Sequence, residues 1–160
     1  DLHSFPTRRS SDLRLYDVYD LLGIEYTKLK DYNKAVWAYT EELKIHEDNP
    51  STYFKRGQIY CDYFCDYSLA CEDFDRAIVF SNYDFYLWYH YCGYSHVHKG
   101  EMNFKKDKEQ ALKDITIAIE MYKLANKFQY EDTNSQEAIK SYNATVKYAE
   151  HRKEEILNSI

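Results

Sequence analysis

The chain has 160 residues, 44% of them hydrophobic and 30% charged, which is typical of a globular domain and excludes a disordered one. The net charge of −6 argues against a nucleic-acid or anionic-membrane surface, because phosphate binding needs clustered lysine and arginine. Only four glycines and two prolines occur, which favours helices over a β-sandwich or a doubly wound α/β fold. No apolar stretch is long enough to predict a membrane-spanning helix.

The first thirteen residues, DLHSFPTRRSSDL, resemble a translated sequencing adapter fused to the reading frame. We exclude residues 1–13 from fold reasoning, expect them to be disordered, and assign the helical domain to 14–160. The alternative is a genuine disordered tail. Because the natural N-terminus would be overwritten, a signal peptide, an earlier domain and a longer parent protein stay open. Localisation is therefore open too, with the cytoplasm favoured.

Helical periodicity predicts seven helices, at about 15–29, 32–47, 51–64, 67–81, 85–99, 107–129 and 134–158. Asn49-Pro50 predicts a helix start, because Asn caps the first turn and Pro loses no hydrogen bond there. We expect Gly100 to end the fifth helix. Thr133-x-x-Gln136 is typical of a capping box and is expected to open the last helix.

Three of the four glycines, Gly23, Gly57 and Gly93, recur at separations of 34 and 36 residues. A tyrosine lies four residues before each glycine and an aromatic ring lies three residues after it. In chain order these residues are Tyr19 and Tyr26, Tyr53 and Tyr60, and Tyr89 and His96. Spacings of four and seven residues place each set on one face of a helix.

A second pattern follows each first one, with an aspartate, a small residue and a bulky residue at four-residue intervals. Its members are Asp31, Ala35 and Tyr39; Asp66, Ala70 and Phe74; and Asp107, Ala111 and Ile115. The aspartates are predicted N-caps, and the small residues allow two antiparallel helices to approach closely. Ala77 and Ala118 follow three residues after the bulky residue, and Glu42 takes that place in the first unit.

These two patterns together resemble the tetratricopeptide repeat, W-x2-L-G-x2-Y followed by A-x3-F at a period of 34. The resemblance covers about 16–122, with tyrosine in place of tryptophan and one extra residue between the helices of the second unit. It implies an all-α, right-handed α-solenoid of antiparallel helix hairpins, with repeats at about 16–49, 50–85 and 86–125 and a capping helix at about 134–158. An irregular helical cap over 86–160 is the alternative for the third unit.

The resemblance further implies a protein-binding scaffold, or alternatively a sensor or regulatory segment of a larger multidomain protein. Ligands of this family, peptides or partner helices, bind a concave groove lined by the first helix of each hairpin. The implied lining residues are Asp17, Asp20, Ile24, Thr27, Lys28, Ser51, Phe54, Gln58, Cys61, Asp62, Leu87, His90, Tyr94, Val97 and His98.

Two rings of this groove, Phe54 and Tyr94, are expected to be apolar anchors, and Asp17, Asp20 and Asp62 supply negative charge. The prediction is a partner with aromatic or aliphatic anchors and some basic character. The alternative is that the two rings pack between neighbouring hairpins, as aromatic residues at helical spacing usually do.

Some members of the family clamp the C-terminal carboxylate of a chaperone with lysine, asparagine and arginine side chains. The corresponding positions of this sequence carry Asp20, Ile24, Lys55, Leu87 and Tyr91. An acidic and apolar groove cannot hold a carboxylate in that way, so we expect no chaperone-clamp role.

The four cysteines, Cys61, Cys65, Cys71 and Cys92, do not form the two CxxC-like pairs of a zinc site. We expect mainly buried, reduced thiols, because free cysteine is among the most buried residue types. The sequence therefore predicts no metal and no cofactor.

His90, His96 and His98 lie close to Cys92 in the sequence and invite a metal or nucleophile interpretation. On a helix, however, His90 and Cys92 face apart, and so do His96 and His98. The sequence contains no Gly-rich phosphate loop, no HExxH and no GxSxG. We predict a chain that is not an enzyme and that binds a protein or peptide, with its oligomeric state open.

Overall fold

A computed structural model of the chain describes residues 10–81, 85–132 and 136–159. Within these ranges it contains seven α-helices and no strand. In chain order they are α1 (Ser10–Lys28), α2 (Tyr32–Ile45), α3 (Pro50–Ile59), α4 (Tyr67–Phe80), α5 (Tyr86–Asn103), α6 (Lys108–Asp132) and α7 (Gln136–Leu157), with a π-helical turn over Tyr60–Phe64. The prediction of an all-α fold is confirmed.

Substantial contacts between the described helices join only neighbours in the chain. Helices α1 and α2, α3 and α4, and α5 and α6 pack as hairpins, and α7 packs against α6. Such nearest-neighbour packing is typical of stacked helical repeats, in which each unit contacts only the units beside it. The role of α7 as a cap stays a prediction, although its Ala149 and Ile156 are buried in a cluster with Ile115 and Ile119.

The second helix of each hairpin begins at the aspartate that the sequence pattern predicts. The carboxylates of Asp31, Asp66 and Asp107 accept hydrogen bonds from backbone amides three residues later, at 3.3, 3.1 and 2.9 Å. Asn49 caps α3 by accepting from the Ser51 amide at 3.1 Å, with Pro50 as the first helical residue. These caps satisfy amides that have no partner within the helix.

Glycines mark the closest approach of the two helices in the first and second hairpins. A Cβ atom added to Gly23 would lie 2.3 Å from the Tyr39 ring, and one added to Gly57 would lie 2.9 Å from the Phe74 ring. Both distances are far inside van der Waals contact, so only glycine lets these rings lie against the opposite backbone. The predicted reason for the repeated glycines is therefore correct in these two units.

The third hairpin departs from the predicted register. Helix α5 continues through Gly100 to Asn103, so the prediction that Gly100 ends the helix is wrong. An added Cβ on Gly93 would lie 3.0 Å from Tyr122, whereas one on Gly100 would lie 3.0 Å from Ile115. Ile115 thus faces Gly100 and not Gly93.

In this hairpin each helix carries two contact residues that are seven positions apart. Gly100 follows Gly93 by seven residues, and Tyr122 follows Ile115 by seven. The repeat pattern is therefore present twice in α6, as Ala111-x3-Ile115-x2-Ala118 and as Ala118-x3-Tyr122-x2-Ala125, with all three alanines fully buried. The hairpin extends about 10 Å farther than it would without these residues, since a helix rises about 1.5 Å per residue.

The extra residue of the second unit is absorbed by the π-helical turn. Cys65 then takes a left-handed conformation with φ of 51°, and the Asp66 amide donates to the Tyr60 carbonyl at 2.9 Å. Lys30 takes the same conformation, with φ of 59°, at the equivalent place before Asp31. The π-helical turn therefore adds one residue while the junction with the next helix is preserved.

Helix α1 begins at Ser10, inside the adapter-like segment and about five residues before the predicted start. Ser10, Ser11 and Asp12 are residue types that favour the first turn of a helix. The remainder of that segment and Thr133 of the predicted capping box lie outside the described residues.

Candidate protein-binding surface

The predicted groove residues lie on α1, α3 with its π-helical turn, and α5; we call the exposed side of these elements the first-helix face. Asp17 and Asp62 are exposed there, and Ile24, Gln58 and His90 are half-buried. Burial lowers the pKa of His90. Its ring lies 5.6 Å from that of Tyr122, so it is a neutral aromatic contact within the third hairpin at pH 7.

Phe54 does not lie on this face as a free anchor. It is 9% exposed, and its ring centroid lies 5.6 Å from each of Phe74, Trp88 and Tyr91. The ring therefore fills the space between the second and third hairpins, which is the alternative that the sequence left open. Cys61 and Val97, which the resemblance also placed in the groove, are buried in the core.

Tyr94, the second expected anchor, is 39% exposed. Its ring meets the His98 ring edge-on at 4.3 Å, and His98 stacks on Tyr67 at 4.9 Å. The Nδ1 atom of His98 lies 3.2 Å from Glu101 Oε2, which orients the imidazole. Burial, with a contribution from the neighbouring Cys65, raises the pKa of Tyr67 to about 12, so its hydroxyl keeps its proton at neutral pH.

A second aromatic pair bridges the first and second hairpins. The rings of Tyr32 and Tyr63 stack with centroids 3.6 Å apart, and Tyr63 is 51% exposed. A hydrogen bond with Tyr63 raises the pKa of Tyr32 to about 12. The two bridging pairs repeat, because Tyr63 follows Tyr32 and His98 follows Tyr67 by the same 31 residues. This shared spacing of 31 residues is visible in the sequence, but the repeat pattern built on the glycines did not include it.

An ion pair occupies the middle of the first-helix face. Lys55 Nζ of α3 lies 2.7 Å from Asp20 Oδ1 of α1, and each side chain is about one-quarter exposed. Asp20 and Lys55 are two of the positions at which the chaperone-clamp members carry their carboxylate-binding side chains. The pair neutralises the one cation among those five positions; the absence of a chaperone-clamp role stays a prediction.

No family model and no curated protein sequence matches the chain. Solved structures do match it. The TPR2B domain of yeast Sti1, determined in complex with an Hsp70 peptide, has a TM-score of 0.66 at 20% identity, over 87% of this chain and 98% of that one. The Sgt2 TPR domain from Aspergillus fumigatus has a TM-score of 0.57 at 20% identity, over 89% and 82%.

The chain has the tetratricopeptide repeat fold. The first TPR domain of Spaghetti (RPAP3), bound to the HSP90 peptide SRMEEVD, gives a further match, with a TM-score of 0.55 at 19% identity over 84% of this chain and 93% of that one. At such identity the likeness concerns the fold alone. The helix hairpins that the glycines and aspartate caps predict are present in the structure, and the ligand of this chain has to be argued from its own side chains.

Among the helices that the structure describes, none is long and apolar enough to cross a membrane. The cysteines are free thiols: Cys61, Cys71 and Cys92 are buried and Cys65 is exposed. Burial raises the pKa of Cys61 to about 11, so this thiol is protonated and unreactive at neutral pH. Three of the four cysteines therefore lie buried, as expected.

Proposed function

We propose that the chain is a protein-interaction scaffold that binds an extended peptide or a partner helix on the first-helix face. The observation that carries the proposal is the exposed ring of Tyr94, held in place by His98 and Tyr67 and unprotected on its outer side. Rigid aromatic side chains with an apolar ring and a polar tip are favoured anchors at protein interfaces. The fold supplies the stacked helices that carry such a surface.

The charges of the first-helix face favour a basic partner. Asp17 of α1 and Asp62 of the π-helical turn are exposed, and Asp20 and Lys55 neutralise each other. A segment with lysine or arginine beside an aromatic or aliphatic residue complements this arrangement, since opposite charges guide docking and the apolar anchor supplies affinity. An acidic C-terminal peptide of the chaperone type meets like charge instead.

A selection of peptides from a random library tests the proposal. We expect the purified chain to enrich basic segments that contain an aromatic or aliphatic anchor, and Tyr94→Ala to weaken them by at least about tenfold, the cost of losing an interface anchor of 1.4 kcal/mol or more. Val79→Ala is the matched control, because Val79 is exposed on the second helix of its hairpin. An acidic peptide ending in EEVD should not bind.

The proposal fails if the selected peptides bind the Tyr94→Ala variant as tightly as the wild type. It also fails if Asp62→Lys, which reverses the charge of an exposed residue on this face, leaves the affinity for basic peptides unchanged. Circular dichroism of each variant separates a lost anchor from a lost fold.

A further inference from the structure

Three metal-binding side chains meet at the interface between α4 and α5. A carboxylate oxygen of Asp75, the sulfur of Cys92 and a ring nitrogen of His96 all lie within 4.8 Å of one another. Cys92 Sγ is 3.3 Å from Asp75 Oδ1, and His96 Nε2 is 3.8 Å from the same oxygen. Donor atoms of a tetrahedral zinc site lie about 3.3–3.5 Å apart, as Zn–N, Zn–O and Zn–S bonds of about 2.0–2.3 Å require.

One nitrogen of the His96 imidazole, Nε2, lies near Asp75 and Cys92 and has no hydrogen-bond partner among the described residues. His96 is 4% exposed, and its buried Nε2 atom makes no hydrogen bond, because the 3.8 Å to Asp75 is too long for one. A buried nitrogen left in this state costs free energy, and buried polar atoms of folded proteins are nearly always satisfied. A cation between Nε2, the thiolate and the carboxylate would satisfy it.

The other nitrogen of the ring is held by Asp114. His96 Nδ1 lies 3.3 Å from Asp114 Oδ1, and Asp114 is 1% exposed. Gln110 Nε2 donates to the second oxygen of Asp114 at 3.3 Å, and Lys99 Nζ lies 3.6 Å from the first. A buried carboxylate that accepts from Nδ1–H leaves Nε2 as the lone-pair donor, which is how carboxylates orient metal-binding histidines.

We propose that Asp75, Cys92 and His96 bind one zinc ion, which connects the second hairpin to the third. Thiolate, imidazole and carboxylate together are the ligands that zinc takes in proteins, and the softer sulfur argues against calcium or magnesium. Asp75 has 55% of its side chain exposed, so the ion can reach the site from solvent.

Binding at this site would exchange a proton for the ion. Burial raises the pKa of Cys92 well above its ordinary value, and the nearby Asp75 adds to the shift, so the thiol is protonated without metal. Zinc uptake must therefore release that proton, and the ion would stabilise the folded chain by linking two hairpins. In the sequence, the pairs His90 with Cys92 and His96 with His98 face apart and argued against a metal. Cys92 and His96 are four residues apart and share one helix face.

Zinc titration of the tag-free full chain, stripped of metal with a chelator and kept reduced, tests the site. We expect calorimetry to show one equivalent of zinc per chain, and cobalt(II) to give the near-ultraviolet thiolate-to-metal band together with the visible bands of tetrahedral cobalt. His96→Tyr should lose binding and still fold, because tyrosine occupies this position in the first two units as Tyr26 and Tyr60. Cys65→Ser, which alters an exposed thiol elsewhere, should bind as the wild type does.

Two further variants keep the test decisive if a core substitution unfolds the chain. Asp75→Ala changes an exposed side chain and should weaken zinc binding at least about tenfold, and Asp114→Asn should weaken it about 10- to 100-fold through the orientation of His96. The proposal is overturned if the wild type takes up no stoichiometric zinc. It is equally overturned if folded His96→Tyr or Asp75→Ala binds zinc as tightly as the wild type.

Discussion

A carboxyl group is fully buried in the first hairpin. Glu42 stands where the second hairpin carries Ala77, and both residues are 0% exposed. The Asn49 side-chain amide donates to Glu42 Oε1 at 2.8 Å, but Oε2 has no hydrogen bond within the described residues. Burial raises the pKa of Glu42, and the neighbouring Thr52 hydroxyl and Asn49 amide only partly oppose the shift. Ionisation of Glu42 in the folded chain therefore costs stability.

Replacing Glu42 with glutamine should stabilise the chain at pH 7. Because its pKa is raised in the folded state, Glu42 contributes stability below the unfolded pKa of about 4.5 and loses this contribution as the pH rises through the folded value. Glu42→Gln keeps the acceptor for Asn49 and has no charge, so its advantage over the wild type should be larger at pH 7 than at pH 4. Urea unfolding at both pH values measures this difference.

The control for Glu42→Gln is Glu72→Gln, an exposed substitution on α4 that should change stability by less than about 0.5 kcal/mol. A Glu42→Gln variant that is less stable than the wild type by the same amount at both pH values would contradict the argument from burial.

A buried ion pair closes the second hairpin. Arg56 of α3 donates two hydrogen bonds to Asp73 of α4, at 2.9 and 2.7 Å, and the Asp73 side chain is 4% exposed. Arg56→Met should cost about 3 kcal/mol in the free energy of unfolding, because it leaves a buried carboxylate unpaired. The loss should shrink as the pH falls, because burial raises the pKa of Asp73 above its ordinary value, removal of Arg56 raises it further, and protonation removes the unpaired charge.

The double variant Arg56→Met/Asp73→Leu separates two causes of lost stability, the unpaired charge of Asp73 and the altered packing volume. It should recover most of the stability that Arg56→Met loses, because a well-packed apolar pair often replaces a buried ion pair at little cost. Guanidinium unfolding of the two variants at pH 7 measures the coupling; equal losses would show that the aspartate was not the source of the cost.

At the scale of single helices, we expect Gly100→Ala in α5 to destabilise the chain, although alanine has the higher helix propensity. Gly100→Ala at an open helical position would stabilise the chain by about 1 kcal/mol. Here the added Cβ would meet Ile115 at 3.0 Å and the Ala111 carbonyl oxygen at 3.1 Å, and the backbone atom cannot easily move. We therefore expect a net loss of about 1–2 kcal/mol in chemical denaturation.

Met102→Ala is the matched control for Gly100→Ala, because Met102 lies on the same stretch of α5 and is exposed. Its effect should stay within about 0.5 kcal/mol. A stabilising Gly100→Ala variant would mean that α6 does not approach α5 at this residue and that the hairpin is not extended as described.

The elements that the sequence predicted well are those set by local rules. Asp31, Asp66 and Asp107 are caps wherever they stand, so they locate three helix starts without any knowledge of the fold. The pairing of Gly93 could not be predicted in the same way. A whole added heptad leaves helical periodicity unchanged, so Ile115 and Tyr122 fit the pattern equally well, and only contact between helices distinguishes them.

The candidate surface and the metal ligands were harder to predict for a related reason. Periodicity places Phe54 and Tyr94 on corresponding faces of α3 and α5, yet the third hairpin covers Phe54, whereas Tyr94 is left exposed. Asp75 joins Cys92 and His96 only because α4 lies beside α5. Which part of a helix face the next unit covers depends on tertiary stacking, and single-sequence patterns do not contain it.

For the whole molecule, the rings around Phe54 contribute to the junction between the second and third hairpins. Phe54→Ala should cost about 3–5 kcal/mol, because it opens a cavity among Phe74, Trp88 and Tyr91. It should also broaden the unfolding transition, since repeat proteins lose cooperativity when an interface between units weakens. Thermal unfolding followed by circular dichroism measures both effects.

The matched substitution is Phe64→Ala, which removes the same ring from an exposed position of the π-helical turn. It should cost less than about 1 kcal/mol and leave the transition sharp. If Phe54→Ala is as mild as Phe64→Ala, Phe54 is a surface residue after all and returns to the set of possible partner contacts.

The loop ends of the hairpins are where this repeat array changes its length. Between the paired glycine and ring, 16 residues separate Gly23 from Tyr39, and 29 separate Gly93 from Tyr122. Both hairpins nevertheless stack into one array, because helical turns added next to the loop of an antiparallel pair leave the opposite end of the pair unchanged. The chain thus offers a place for grafting: a helical extension inserted at a hairpin tip, in matched heptads, would project from the array while the stacking of its neighbours is preserved.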